Sequence, residues 1–253
     1  MKKTLLTIAI AVLLVAGVTV YTMFFSQPRL TSAQQQKAVE TQRQLDAAKA
    51  QTAPASEPAQ PGPAQPTPAP APAAPAVWPE KAPEVFKVKF ACTMGDFVIE
   101  CHKDWAPIGV ERFFELAKSG FFNDGGFFRV VPGFVVQFGL PADPGLAATW
   151  RTKTLKDEPV KKGNAKGMVT FAKTNAPNSR TTQLFINLGD NAQLDGMGFS
   201  AFGQVVEGMD IVQKINAEYG QNPRQDLIQS MGNEYLKQAF PRMDFVKSVS
   251  LIQ

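Results

Sequence analysis

From about residue 85 onward, apolar and polar side chains change places every second position. Phe86, Val88, Phe90 and Cys92 share one parity, and Phe97, Ile99 and Cys101 continue it beyond the turn Thr93-Met94-Gly95-Asp96. Period-two alternation on both sides of a short polar turn predicts a hairpin over 86–92 and 97–101 with one face in a core. Residues 107–119 break that rhythm. Val110, Phe113, Phe114 and Ala117 fall at helical spacing, Pro107 stands at the start and Gly120 past the end, which predicts a helix. Further strands are expected at 127–131, 134–138, 168–172, 183–187, 199–205 and 244–252, with a second helix over 209–216 carrying Ile211, Val212 and Ile215 on one side. Many short strands and two amphipathic helices predict a mostly β fold, a closed antiparallel barrel capped at its ends.

The N-terminal third follows other rules. Met1-Lys2-Lys3 precedes an uncharged apolar run over 4–25. As a helix it would reach ~33 Å, enough to cross a bilayer core of ~30 Å. The run ends in Tyr21-Thr22-Met23-Phe24-Phe25, without the small-x-small site of a cleaved signal peptide. A transmembrane signal anchor is therefore expected at 4–25, with 1–3 as a cytoplasmic stub and the rest of the chain outside. The alternative is cleavage after Ala33 and a secreted or periplasmic protein. Residues 26–51 are a polar juxtamembrane segment. Residues 52–79, a low-complexity segment of Pro, Ala and Gln, cannot bury a core and are expected to be a disordered linker, ~85 Å long if in polyproline II form. The folded domain is expected over 80–253.

Composition then removes several chemistries. The formal charge is only +4 and the basic residues are scattered, which argues against nucleic acid as a partner. One His (His102) and two Cys (Cys92, Cys101) are too few for a zinc site, a His-based triad or a Cys-His nucleophile pair. In the expected hairpin Cys101 lies ~13 Å along its strand from the residue opposite Cys92. A disulfide needs Cα atoms within about 7 Å, so both thiols read as small core side chains. No metal and no cofactor is expected.

The most informative stretch is Phe127-Phe128-Arg129-Val130-Val131-Pro132-Gly133-Phe134-Val135-Val136-Gln137-Phe138-Gly139. It sets one permanent cation and one carboxamide in an apolar, strand-like run. Strand parity puts Arg129 and Gln137 on one side, close to Phe134. Buried donors of this kind are costly unless something uses them. A core strand whose Arg reaches to an edge is the competing reading. The stretch resembles the cyclophilin signature Phe-His-Arg-Val-Ile-x-x-Phe-x-x-Gln-x-Gly. Four other segments are similar to that family in the same order. They are Gly95-Asp96-Phe97-Val98-Ile99-Glu100 with Ala106-Pro107 and Phe113; Phe171-Ala172-Lys173-Thr174-Asn175-Ala176-Pro177-Asn178-Ser179; Thr182-Gln183-Leu184-Phe185-Ile186-Asn187; and Leu194-Asp195-Gly196 followed by Phe199-Ser200-Ala201-Phe202-Gly203-Gln204-Val205. The resemblance spans roughly 86–252.

This resemblance implies an eight-stranded barrel with a helix at each mouth, and peptidyl-prolyl cis-trans isomerase activity. It implies Arg129 as the catalytic group. Phe134, Val135, Phe185, Leu194 and Phe199 would form the proline pocket, while Gln137, Gln183 and the backbone at Ala172 and Lys173 would hold the peptide main chain. The implied partners are proline-containing segments of exported proteins, met by a monomer. Several positions depart from the family pattern. Phe128 replaces the usual His, Lys173 stands where many members have Asn, Gln193 takes the place of an aromatic residue at the pocket edge, and Gly196-Met197-Gly198 adds a residue before Phe199. Two other classes fit parts of the chain: a proline-peptide-binding holdase with little turnover, and an envelope-spanning coupling protein built of anchor, spacer and small terminal domain.

Overall fold

The fold starts from one hairpin. β1 (Val85–Cys92) and β2 (Gly95–His102) pair antiparallel in unbroken register from Val85↔His102 to Cys92↔Gly95, so only Thr93 and Met94 lie between the paired ends. The register sets Phe90 opposite Phe97 and their rings stack at 5.0 Å. In this computed structural model, residues 78–252 are described. The expected stub, anchor at 4–25, juxtamembrane segment and nearly all of the linker lie outside them. Among the described residues no helix is long and apolar enough to cross a membrane.

α1 (Pro107–Lys118) packs a phenylalanine-rich face onto the hairpin. Phe113 lies 6.2 Å from Phe90 and 5.0 Å from Phe202, ring to ring. Its N-terminus has no cap from its own flank. Glu158 supplies one from a distant loop, accepting from Ile108 N (2.6 Å) and Gly109 N (3.0 Å), which satisfies two of the orphan donors left at an end where Pro107 has none to offer. Glu158 is itself held by Arg180 Nη1 at 2.9 Å in a buried ion pair.

The remaining strands are β3 (Arg129–Val131), β4 (Val135–Phe138), β5 (Met168–Phe171), β6 (Leu184–Asn187), β7 (Ala201–Glu207) and β8 (Val246–Ile252). They form one antiparallel sheet in the order β3-β4-β6-β5-β7-β2-β1-β8. Eight antiparallel strands were expected, but the closed barrel was not correct. β3 and β8 are edges with no ladder between them, so the sheet is an open half-barrel. The two edges approach only through the isolated bridge Gly126↔Phe245, which lies outside both strands. The reason is visible on β3, whose outward N–H at Val130 is given to Gly220 O at 3.0 Å instead of to β8. At the bridge itself there is no room for a side chain, since a Cβ on Gly126 would sit 2.8 Å from Met243 Sδ and 2.9 Å from Leu236 Cδ1.

Those side chains belong to a second, smaller core of Phe128, Leu140, Tyr219, Leu227, Ile228, Tyr235, Leu236, Ala239, Phe240 and Met243. Two helices absent from the sequence reading build it, Gln225–Met231 and Asn233–Ala239. They are α5 and α6 in chain order, after α2 (Pro144–Trp150), α3 (Gln193–Gly196) and α4 (Met209–Val212). The expectation of two capping helices is therefore also corrected. The first forms as expected, the second shrinks to the single turn of α4, and four more helices appear among the described residues. Phe128 is buried in this second core, so its apolar side chain closes the far side of the Arg129 strand. Cys92 and Cys101 are free and buried, as their parity predicted.

Candidate active site

Register delivers the polar half of the site. β3 pairs β4 with Arg129 directly opposite Gln137, and β4 pairs β6 with Gln137 opposite Phe185. Side chains directly opposite each other share a face, so the guanidinium and the carboxamide meet. Arg129 Nη1 donates to Gln137 Oε1 at 3.1 Å, and Gln137 Nε2 donates to Gln183 Oε1 at 2.8 Å. Arg129 Nε donates to Gln221 Oε1 at 2.8 Å, from the loop whose Gly220 carbonyl accepts from Val130 N. The guanidinium also lies 5.8 Å from the Phe134 ring centroid. The result is a cation ordered by neutral amides on three separate segments.

Arg129 is only 6% exposed, and burial lowers its pKa to about 10. It therefore stays charged at neutral pH. Because the shift is downward for a cation, burial works against stability wherever the group is protonated. The amide acceptors offset part of that cost and fix the fork in one orientation.

The apolar half adjoins it. Val135, Ala172, Phe185, Leu194 and Phe199 form one buried cluster, with partly buried Phe134 packed against it. Phe185 and Phe199 meet edge to face at 5.7 Å, and Lys173 Nζ lies 5.5 Å from the Phe199 ring. Phe134 joins the two halves, since it borders both the cluster and the guanidinium. Of the ten residues singled out from sequence, Arg129, Val135, Gln137 and Phe185 lie within strands and Leu194 within α3; Phe134, Ala172, Lys173, Gln183 and Phe199 lie just beyond strand ends. All ten converge on this one region. Ala172 N–H is already given to Gln183 O at 2.8 Å. Gln193 is exposed at the first position of α3.

Sequence reasoning missed Gln221 and the asparagines behind the pocket, Asn164, Asn187 and Asn191, all three buried. Gln221 sits in a polar loop with no pattern to mark it. The spacing of Asn187 and Asn191 between Phe185 and Leu194 was the available signal, but an Asn at the end of an expected strand or in the loop after it ordinarily reads as turn chemistry.

The family model described as "Cyclophilin type peptidyl-prolyl cis-trans isomerase/CLD" matches residues 87–233. Escherichia coli peptidyl-prolyl cis-trans isomerase B is 38% identical over 137 residues, which is 51% of this chain and 82% of that protein. Dickeya dadantii peptidyl-prolyl cis-trans isomerase A is 34% identical over 145 residues, 53% of this chain and 73% of that protein. Among solved structures, a Cryptosporidium parvum cyclophilin type peptidyl-prolyl cis-trans isomerase superposes with a TM-score of 0.52 at 19% identity, covering 67% of this chain and 98% of that one. That likeness concerns the fold. Taken with the sequence matches, a sheet and helices of this arrangement make the chain a member of the cyclophilin-type peptidyl-prolyl cis-trans isomerases, and an enzyme of that activity.

Proposed function

We propose that Arg129 accelerates rotation about X-Pro bonds by stabilising the twisted amide. The barrier to this rotation, ~18–20 kcal/mol, comes from amide resonance. No bond breaks and no proton moves. Binding the twisted form better than either planar form is sufficient. As the bond twists, the proline nitrogen becomes pyramidal and its lone pair accepts a hydrogen bond. A guanidinium held rigidly beside an apolar recess matches that requirement. The supporting observation is the Arg129 fork pinned by Gln137 and Gln221 next to the cluster that Phe134 borders. In this reading Phe134, Val135, Phe185, Leu194 and Phe199 hold the proline ring. Gln137, Gln183 and the backbone at Ala172 and Lys173 hold the flanking main chain.

The test is Arg129→Ala. Losing one preorganised donor typically lowers the rate by about 10²–10³. The variant is expected to fold, to bind proline-containing peptides within a few-fold of the parent, and to isomerise them at least a hundredfold more slowly. A folded variant with near-normal turnover would remove Arg129 from the mechanism.

We also propose that the enzyme works as a monomer outside the cytoplasm, on segments of exported proteins. The support is sequence alone: the apolar run at 4–25 behind Met1-Lys2-Lys3, and the Pro/Ala-rich stretch that follows. Fractionation of cells with N-terminal sequencing tests the placement. Recovery in the cytoplasmic fraction would overturn it, and a start near Gln34 in the soluble exported fraction would replace an anchor with a cleaved signal.

A further inference from the structure

Behind the apolar recess, three buried asparagines form a continuous relay of side-chain hydrogen bonds. Asn191 Nδ2 donates to the Phe134 carbonyl at 2.9 Å and to Asn187 Oδ1 at 2.7 Å. Asn187 Nδ2 donates to Asn164 Oδ1 at 3.3 Å and to the Met168 carbonyl at 2.9 Å. Asn164 Nδ2 donates to the Phe199 carbonyl at 2.8 Å and to Asp195 Oδ1 at 2.7 Å. Each carboxamide has two N–H groups, so all the side-chain donors of the three residues are committed. Thr170 Oγ1 adds a bond to Asn164 Oδ1 at 2.8 Å. None of the three asparagines is more than 4% exposed.

The ends of the relay carry the argument. One is the main chain of Phe134, in the turn between β3 and β4. The other is the main chain of Phe199 together with Asp195 of α3. Both phenylalanines belong to the recess, yet they lie on segments that no strand pairing joins directly. A fully satisfied buried amide network holds one arrangement and no other, whereas an apolar filler of the same volume would tolerate several. Backbone packing agrees, because a Cβ at Gly189 would sit 2.3 Å from the Gly133 carbonyl and one at Gly163 2.7 Å from Asp195 Oδ2. The segments joined by the relay are thus already pressed together at both ends.

We infer that Asn164, Asn187 and Asn191 are positioning residues for the isomerisation, which set the spacing of Phe134 and Phe199 and so the width of the slot for the proline ring. This rests on reading the recess as the proline pocket. The ring is held much the same in planar and twisted states, so loosening the slot should weaken both equally. Such a loss appears in KM and leaves kcat nearly unchanged, the opposite of the split expected for Arg129.

Asn191 is the best probe, because the Phe134 carbonyl keeps a second donor, Leu188 N at 2.8 Å, when Asn191 is cut back. Asn191→Ala and Asn187→Ala in the full chain are measured on a short X-Pro peptide, at a temperature where circular dichroism shows both fully folded. Each is expected to raise KM about tenfold with kcat within about threefold, a modest share of what a misplacement remote from the reacting atoms can cost. Combining Asn191→Ala with Asn164→Ala should give less than the product of the single effects, since the first change already breaks the relay. Asn191→Gln keeps both donors and should recover part of the loss; it also serves if an alanine variant does not fold. Variants with parental KM and only a lower Tm would overturn the inference, as would strictly multiplicative effects in the double variant. An inert parent chain would overturn the pocket reading and the inference with it, whereas an active parent with unaltered KM in the variants overturns the inference alone.

Discussion

β1, β2, β7 and β8 run for seven or eight residues each, whereas β3, β4, β5 and β6 run for three or four. The long strands meet in extended ladders and bury Phe90, Phe97, Ile99 and Phe202. The short ones add Val136, Phe138, Phe171 and Ile186 to the same core, but they also bury Arg129, Gln137, Thr170 and Asn187, whose side chains are joined to their neighbours by hydrogen bonds. Apolar burial is strong and non-directional; a polar network is directional and adds little net stability. The short strands thus serve the fold with one set of side chains and the candidate site with another.

Damage on one side should therefore leave the other almost untouched. The largest effect is expected in the long-strand core. Phe90 is fully buried among Phe97, Phe113, Phe122 and Phe138, so Phe90→Ala should cost about 3–5 kcal/mol of stability. Turnover per folded molecule should stay near the parent value. Denaturant titration and an isomerisation assay on the same preparation check both halves, and a specific loss of turnover would break the separation.

Next in size is Arg129→Lys, which retains charge but not the planar fork that Gln137 and Gln221 hold. Its rate should fall between those of the parent and Arg129→Ala, with the melting temperature little changed. The smallest effect concerns pH. Turnover should be flat from pH 6 to 8 and decline as pH rises through about 10, where Arg129 loses its proton. Stability from this group changes in the opposite sense. Its folded pKa lies below the usual arginine value, so as pH rises above about 10 the unfolded chain binds the proton more tightly and the burial penalty is relieved. A step in the rate profile between pH 6 and 8 would mean that an acid or base takes part in the reaction. The single histidine, His102, lies on β2, separated from β4 by β6, β5 and β7, stacked on Trp105 at 3.9 Å with Glu100 at 2.9 Å from its Nε2.

The hairpin was legible in sequence because β1 alternates without a break over eight residues and Phe97, Ile99 and Cys101 carry the same parity along β2. The converging motif residues were legible for a different reason: Arg129 and Gln137 are conspicuous in an apolar run, and their spacing preserves parity. Closure was not legible. Whether β3 and β8 pair depends on segments more than a hundred residues apart and on the loop whose Gly220 carbonyl takes the Val130 N–H, which no local pattern records. Helices α5 and α6 escaped because Gly232, at φ 58° with Ala142 O 2.0 Å from any Cβ, divides one apolar stripe into two pieces of seven residues. The asparagine relay escaped because Asn164 and Asn191 look like loop residues until the fold buries them, and Asn187 ends its strand without a visible partner in the sequence.

Cys92 and Cys101 add a chemical consequence to the hairpin on which the fold is built. Burial raises the Cys101 thiol well above its ordinary value, and burial together with nearby Asp96 and Asp244 raises Cys92 to about 12. Thiolate, the form that attacks disulfides and peroxides, is then almost absent from the native molecule. A reducing or an oxidising medium meets the same covalent structure, and maturation needs no electron acceptor. An enzyme that untwists the backbones of other chains can begin work as soon as its own has folded, whatever the redox poise around it.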